Sequence, residues 1–164
     1  MNTKKITLGA MMCAVAVVGS LISFPVLGSK CAPVQHIVNI VCAITLGPWY
    51  GVAVAFLASL IRNLLGLGSV LAFPGSMFGA LLCGLAYKKF QNVTITLVAE
   101  VFGTAVLGGL CAYPLAILLL GQSAAEIAFY VYIIPFLIST GVGAILSLFA
   151  VLPLKKAGLD KMEM

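Results

Sequence analysis

Apolar positions run through this chain in long unbroken stretches, and a few Gly, Pro and Lys interruptions divide them into elements. The first stretch extends from Ile6 to Leu27 behind Lys4 and Lys5. It is too long for the apolar region of a signal peptide and leads into no soluble domain, so it predicts a membrane helix over about residues 4–24. Residues 31–61 then carry no charge except a proton His36 can take up, and one helix of that length would overrun a bilayer core of about 30 Å. Gly47-Pro48 splits it, Pro48 suiting the first turn of a new helix, which gives helices over 34–46 and 48–64. Gly66-Leu67-Gly68-Ser69 breaks the chain again, and a fourth helix over 73–89 opens around Pro74 and ends at Lys88-Lys89. A fifth, 93–120, is long enough to tilt or to bend near Pro114. After the polar connection 121–126, a sixth over 127–152 stops at Pro153 before Lys155-Lys156. One domain of six crossings results, with no internal repeat.

Composition moves this bundle into a membrane. Hydrophobic residues make up 63% of the chain, charged residues 8%, and the mean hydropathy is +1.22, whereas soluble domains carry about a quarter charged residues. In hydrocarbon every backbone polar group must be satisfied within the chain, which leaves helices or a closed barrel. The runs lack period-two alternation and exceed the roughly 10-residue strands of a barrel, so the fold class is an all-α membrane bundle. Nine Lys and Arg against four Asp and Glu do not indicate a nucleic-acid binder, because they cluster at element ends and form no basic face. Lys4-Lys5, Lys88-Lys89 and Lys155-Lys156 with Lys161 have the spacing of cytoplasmic anchors. Six crossings put every cluster and both termini on the cytoplasmic side of the cell membrane, with Lys30, Arg62 and Glu126 outside. An odd number would misplace one cluster. The cysteines at 13, 31, 42, 83 and 111 form no C-x-x-C pair and read as small buried hydrophobes, with no metal or redox role.

Against that background the scarce polar side chains stand out. Gln35, His36 and Asn39 lie within two turns at the outer end of the second helix, His36 and Asn39 at i, i+3 and Gln35 and Asn39 at i, i+4. Arg62 and Asn63 close the third helix at the same depth, and Ser76 lies in the first turn of the fourth. An amide, imidazole or guanidinium at membrane depth must face protein or a water-filled cavity, so their convergence predicts an outward-opening pocket. Capping or mutual pairing is the alternative for each, and Arg62 has the further option of reaching out to headgroups. Glu100 lies roughly 10 Å along the fifth helix from its cytoplasmic end. It either forms the pocket floor with Thr104 or serves a partner protein. Gly9, Ala10, Cys13 and Ala14 on the first helix, and Gly75, Gly79, Ala80 and Gly84 on the fourth, allow close helix approach. The first set packs internally or docks a membrane partner. No G-x-x-x-x-G-K-[ST], H-E-x-x-H or G-x-S-x-G occurs, which excludes the usual ATP hydrolysis machinery, zinc peptidases and the common serine hydrolases. No enzymatic activity, cofactor or metal site is expected.

Pro33-Val34-Gln35-His36 with Asn39, Leu46-Gly47-Pro48-Trp49-Tyr50, Arg62-Asn63 and Ala72-Phe73-Pro74-Gly75-Ser76-Met77 together resemble the ThiW family. These are substrate-binding S components of energy-coupling factor (ECF) transporters, assigned to uptake of a thiamine precursor. The resemblance implies a six-helix subunit that captures a thiazole, hydroxyethylthiazole, from outside. A transmembrane coupling protein and two ATPase subunits would supply the energy, and the S component would topple in the bilayer to release its cargo. It also implies that Ala10 and Ala14 meet the coupling protein, although Val18 stands where a third alanine would continue the row. A small flat neutral ligand asks for an apolar slot and a few aimed hydrogen bonds. Phe73, Met77 and Tyr113 would form the slot, His36, Asn39 and Ser76 would bond the ring nitrogen or hydroxyl, and residues 24–32 would act as a lid. The alternatives are an S component for another vitamin, and a self-sufficient secondary carrier in which Glu100 or His36 couples transport to protons.

Overall fold

A computed structural model describes residues 3–26, 29–123, 128–156 and 158. Six helices make the bundle: α1 (Thr3–Gly19), α2 (Pro33–Thr45), α3 (Pro48–Leu64), α4 (Ala72–Phe90), α5 (Val93–Leu120) and α6 (Ile133–Lys156). Helix ends follow local chemistry. Pro33 and Pro48 occupy first-turn positions, where a missing N–H costs nothing. Gly47 takes φ 86° between α2 and α3, a conformation open to glycine without a Cβ penalty. The Asn92 side chain caps α5 by accepting from the Ile95 amide at 3.2 Å.

Three features depart from the expected elements. α1 ends at Gly19, and the chain then forms a hairpin, β1 (Phe24–Val26) against β2 (Ser29–Cys31), antiparallel with Pro25 opposite Lys30. Three-residue strands are too short to show a period-two pattern. α5 is interrupted at Phe102–Gly108 by π-helical turns, upstream of Pro114, where a bend was expected. α6 begins at Ile133, six residues later than expected, and continues through Pro153 to Lys156.

α2 is the axis of the bundle. Its 13 residues are almost wholly buried, and it packs against α1, α3, α4, α5 and α6. Lipid tails are as apolar as leucine, so burial alone does not hold such helices together; close approach and polar contacts do. Glycine supplies the approach. A Cβ at Gly143 of α6 would come within 2.6 Å of the Pro33 carbonyl and 2.7 Å of His36 Cβ, and one at Gly79 of α4 within 2.7 Å of Glu100 Oε2. The small positions of α4 serve three neighbours, Gly75 and Gly79 facing α5 and α6, Ala80 and Gly84 facing α3. Large apolar side chains point outward all round, Leu64, Leu118, Phe149 and Trp49 being more than 70% exposed, as lipid-facing surface requires. α5 and α6 are each long and apolar enough to span a membrane alone.

The lysine clusters gather at one end. Lys4 lines a groove with Thr45 and Leu154, which joins the start of α1 to the ends of α2 and α6, and Lys155 Nζ lies 5.7 Å from the Tyr87 ring of α4. The hairpin occupies the opposite end with Arg62. Glu126 and Lys161 lie outside the described residues.

Candidate functional site

The first turns of α2 carry Gln35, His36 and Asn39, which between them reach α3, α4, α5 and α6. Glu100 of α5 is the hub. Its Oε1 accepts from His36 Nδ1 at 2.9 Å, Asn39 Nδ2 at 3.1 Å and Thr104 Oγ1 at 3.2 Å. Glu100 is fully buried, so these three donors replace lost water at Oε1, while Oε2 has no hydrogen-bond partner. The π-helical turns set Thr104 so that its hydroxyl reaches both Glu100 and the Gly75 carbonyl of α4 (3.2 Å). Asn39 Nδ2 also donates to the Ser76 carbonyl at 3.2 Å, tying α2 to α4.

On its other side His36 Nε2 lies 3.1 Å from Ser139 Oγ, which accepts from the Ala32 amide at 3.1 Å. The network assigns one consistent pattern for a neutral ring: Nδ1–H donates to Glu100 and Nε2 accepts from the Ser139 hydroxyl. A hydrogen-bonded chain thus connects the buried carboxylate, through imidazole and hydroxyl, to the backbone below the hairpin. The hairpin is fixed to α6 again where Cys31 Sγ donates to the Pro135 carbonyl.

A second line of contacts leads outward. Asn39 Oδ1 accepts from Gln35 Nε2 at 3.2 Å, and Gln35 Oε1 accepts a long bond of 3.4 Å from Arg62 Nη1. Ser59 and Ser76 share a hydroxyl pair at 2.8 Å.

Above this layer lies a cavity lined by Gln35, His36, Arg62, Ser76, Thr104 and Ser139, with Phe136 as its aromatic wall and Lys30, Ala32, Ala72 and Gly75 completing it. Its volume is about 40 Å³, room for about three waters at ~10–15 Å³ each. A wider vestibule of about 300 Å³ continues from it and shares Lys30, Arg62, Ala72 and Phe136.

The residues picked out in the sequence therefore divide. Gln35, His36, Arg62, Ser76 and Thr104 line the cavity. Asn39 and Glu100 sit one hydrogen bond behind it. Asn63 holds the α3–α4 turn, donating to the Ser59 and Ser69 carbonyls at 2.8 and 3.2 Å. Phe73 packs against Phe56 with ring centroids 5.7 Å apart, Tyr113 joins the cluster of Leu71, Ala112, Ala116 and Tyr132, and Met77 is half-buried on α4. None of these last three lines the cavity, whose flat wall is Phe136. Phe136 and Ser139 were not anticipated; the hydroxyl pair Ser139-Thr140 inside an apolar run was the available signal. On α1, Ala10 and Ala14 are exposed, whereas Gly9 turns inward toward Val54 and Leu46. Among the described residues no group of three His, Cys, Asp or Glu side chains could hold a metal.

Comparison with known proteins gives two findings. Residues 6–157 match the family model described as Thiamine-precursor transporter protein (ThiW). A solved structure described as "Structure and mechanism of the S component of a bacterial ECF transporter" superposes with a TM-score of 0.78 at 18% identity. The match covers 95% of this chain and 98% of that one, and at this identity it establishes the shared fold. No curated protein matches the chain.

Proposed function

The chain belongs to the ThiW family of thiamine-precursor transporter proteins, and from that premise we propose that it is the S component of an ECF transporter, binding the thiazole precursor of thiamine, hydroxyethylthiazole. The observation that carries this reading is the cavity: polar groups from α2, α3, α4, α5 and α6 surround one small space beside an aromatic face, inside a bundle whose outer surface is apolar. A five-membered ring lies against Phe136, and its nitrogen and hydroxyl find partners among His36, Ser139, Gln35 and Ser76. Asn39 and Glu100 are positioning residues that hold His36 and Gln35 from behind. Lysine clusters at the end opposite the hairpin support an orientation with both termini in the cytoplasm and the cup facing out. The hairpin, carrying Lys30 and leading into Ala32, covers the entrance.

Energy comes from partners, a coupling protein and two ATPase subunits, since the sequence carries no phosphate loop. Ala10 and Ala14, exposed on α1, offer the coupling protein a surface for close helix approach. Reconstitution into vesicles tests the reading. The purified chain alone should bind hydroxyethylthiazole in calorimetry, and uptake should require the coupling protein, the ATPases and ATP. Uptake by the chain alone, driven by a pH gradient, would establish a self-sufficient carrier instead.

A further inference from the structure

Among the described residues Arg62 is a cation without a counterion. Its side chain is 97% buried, given a relative exposure of 3%, its Nε has no hydrogen-bond partner, and the long bond from Nη1 to Gln35 joins it to a neutral amide. Among the described residues Glu100 is the sole carboxylate; it is already engaged by His36, Asn39 and Thr104, and two amide side chains, Gln35 and Asn39, stand between it and Arg62. A guanidinium offers five N–H donors in a planar fork suited to oxyanions. Burying it unpaired is costly, and that cost is relieved when something anionic arrives.

The surroundings favour such an arrival. Arg62 lies on the boundary between cavity and vestibule and lines both, as does Lys30 of the hairpin, whose ammonium makes one long bond of 3.4 Å to the Gly66 carbonyl. The other polar residues lining the vestibule are Ser69, Gln122 and Tyr132, all neutral. Among the described residues two cations and no carboxylate thus frame the passage to the ring-binding space.

We propose that Arg62 and Lys30 form an oxyanion subsite, and that the preferred ligand is a thiazole bearing an oxyanion, a phosphate ester of its hydroxyethyl arm or a ring carboxylate. The proposal rests on the thiazole reading of the cavity and refines it. The ring sits against Phe136, and the anion lies at the mouth, bridged by the Arg62 fork and the Lys30 ammonium. Charge pairing at the mouth also draws the hairpin down over the bound ligand.

The test is calorimetry on the full chain in lipid nanodiscs with hydroxyethylthiazole, its phosphate ester and a thiazole carboxylate. One of the two anions should bind at least tenfold more tightly than the alcohol, and the winner distinguishes phosphate from carboxylate. Arg62→Gln should reduce that preference to less than threefold while leaving the melting temperature of the empty protein unchanged or raised; an arginine with a purely structural role would lower it. Lys30→Gln, at an exposed position, should reduce the preference at least threefold and carries the test if Arg62→Gln does not fold. Equal or tighter binding of the alcohol overturns the subsite and leaves the thiazole reading intact, and so does a preference that survives both substitutions. If none of the three thiazoles binds, the thiazole reading fails and the subsite fails with it.

Discussion

Around Glu100 three donors, imidazole, amide and hydroxyl, converge on Oε1, while the buried Oε2 has no hydrogen-bond partner. Around Arg62, by contrast, a guanidinium of five donors makes one long bond and faces a hollow. Both sets draw on the same few polar residues of α2, and both lie in a bundle where an unmatched polar group is costly. The difference separates two uses of polarity in a membrane. The inner set holds α2, α4, α5 and α6 together where the hydrophobic effect does not. The outer set keeps donors that the proposed ligand would take up.

Removing the hub should have the largest effect. Glu100→Ala leaves the groups around Asn39 and Thr104 without their acceptor and should cost about 3–5 kcal/mol of stability, read as a large drop in melting temperature in detergent or as loss of folded protein. An unchanged melting temperature would mean that the inner set does not hold the helices. Gly79→Ala probes the same region without removing a polar group. Its Cβ would lie 2.7 Å from Glu100 Oε2, and overpacking of this kind costs about 1–3 kcal/mol; thermal unfolding checks it, and no loss would show that α4 and α5 separate easily.

Asn39→Ala tests the boundary between the two sets. Asn39 holds Gln35 on one side and Glu100 on the other, so thiazole affinity should fall at least tenfold, about 1.4 kcal/mol, in calorimetry on purified protein. Unchanged affinity would remove the inner set from any role in binding. Ser139→Ala should have the smallest effect, about 1 kcal/mol, because it removes one hydroxyl bridging His36 Nε2 and the Ala32 amide. Faster hydrogen exchange at Ala32 with a several-fold loss of affinity is the expected result. Unaltered exchange would disconnect the hairpin from the imidazole.

Much of this was legible before any coordinates. Gln35, His36, Arg62, Ser76 and Thr104 were recognisable as site candidates because lipid makes such side chains rare, so each one present is informative. The same rule gave no means of ranking them. Asn39 and Glu100 share the chemistry of the lining residues and sit just behind the wall; only the α4–α5 and α2–α6 approaches, set by Gly79 and Gly143, decide that. Aromatic residues were harder still. Phe73, Tyr113 and Phe136 all lie in apolar surroundings, and a helix that is apolar on every side carries no stripe to fix its rotation, so the sequence does not choose among them.

By itself the sequence determined the solvent, the number of helices, the breaks at Gly47-Pro48 and Gly66, the lysine-rich end and the polar layer, because each follows from the cost of moving charge or an unpaired backbone group into hydrocarbon. The tertiary structure decided the hairpin, the π-helical turns of α5 and the contrast between Glu100, bonded by three donors at one oxygen, and Arg62, held by one long bond. Those depend on how closely helices approach and how they rotate about their axes. In lipid these are set by interlocking of small residues and by hydrogen bonds between distant parts of the chain, which no local pattern records.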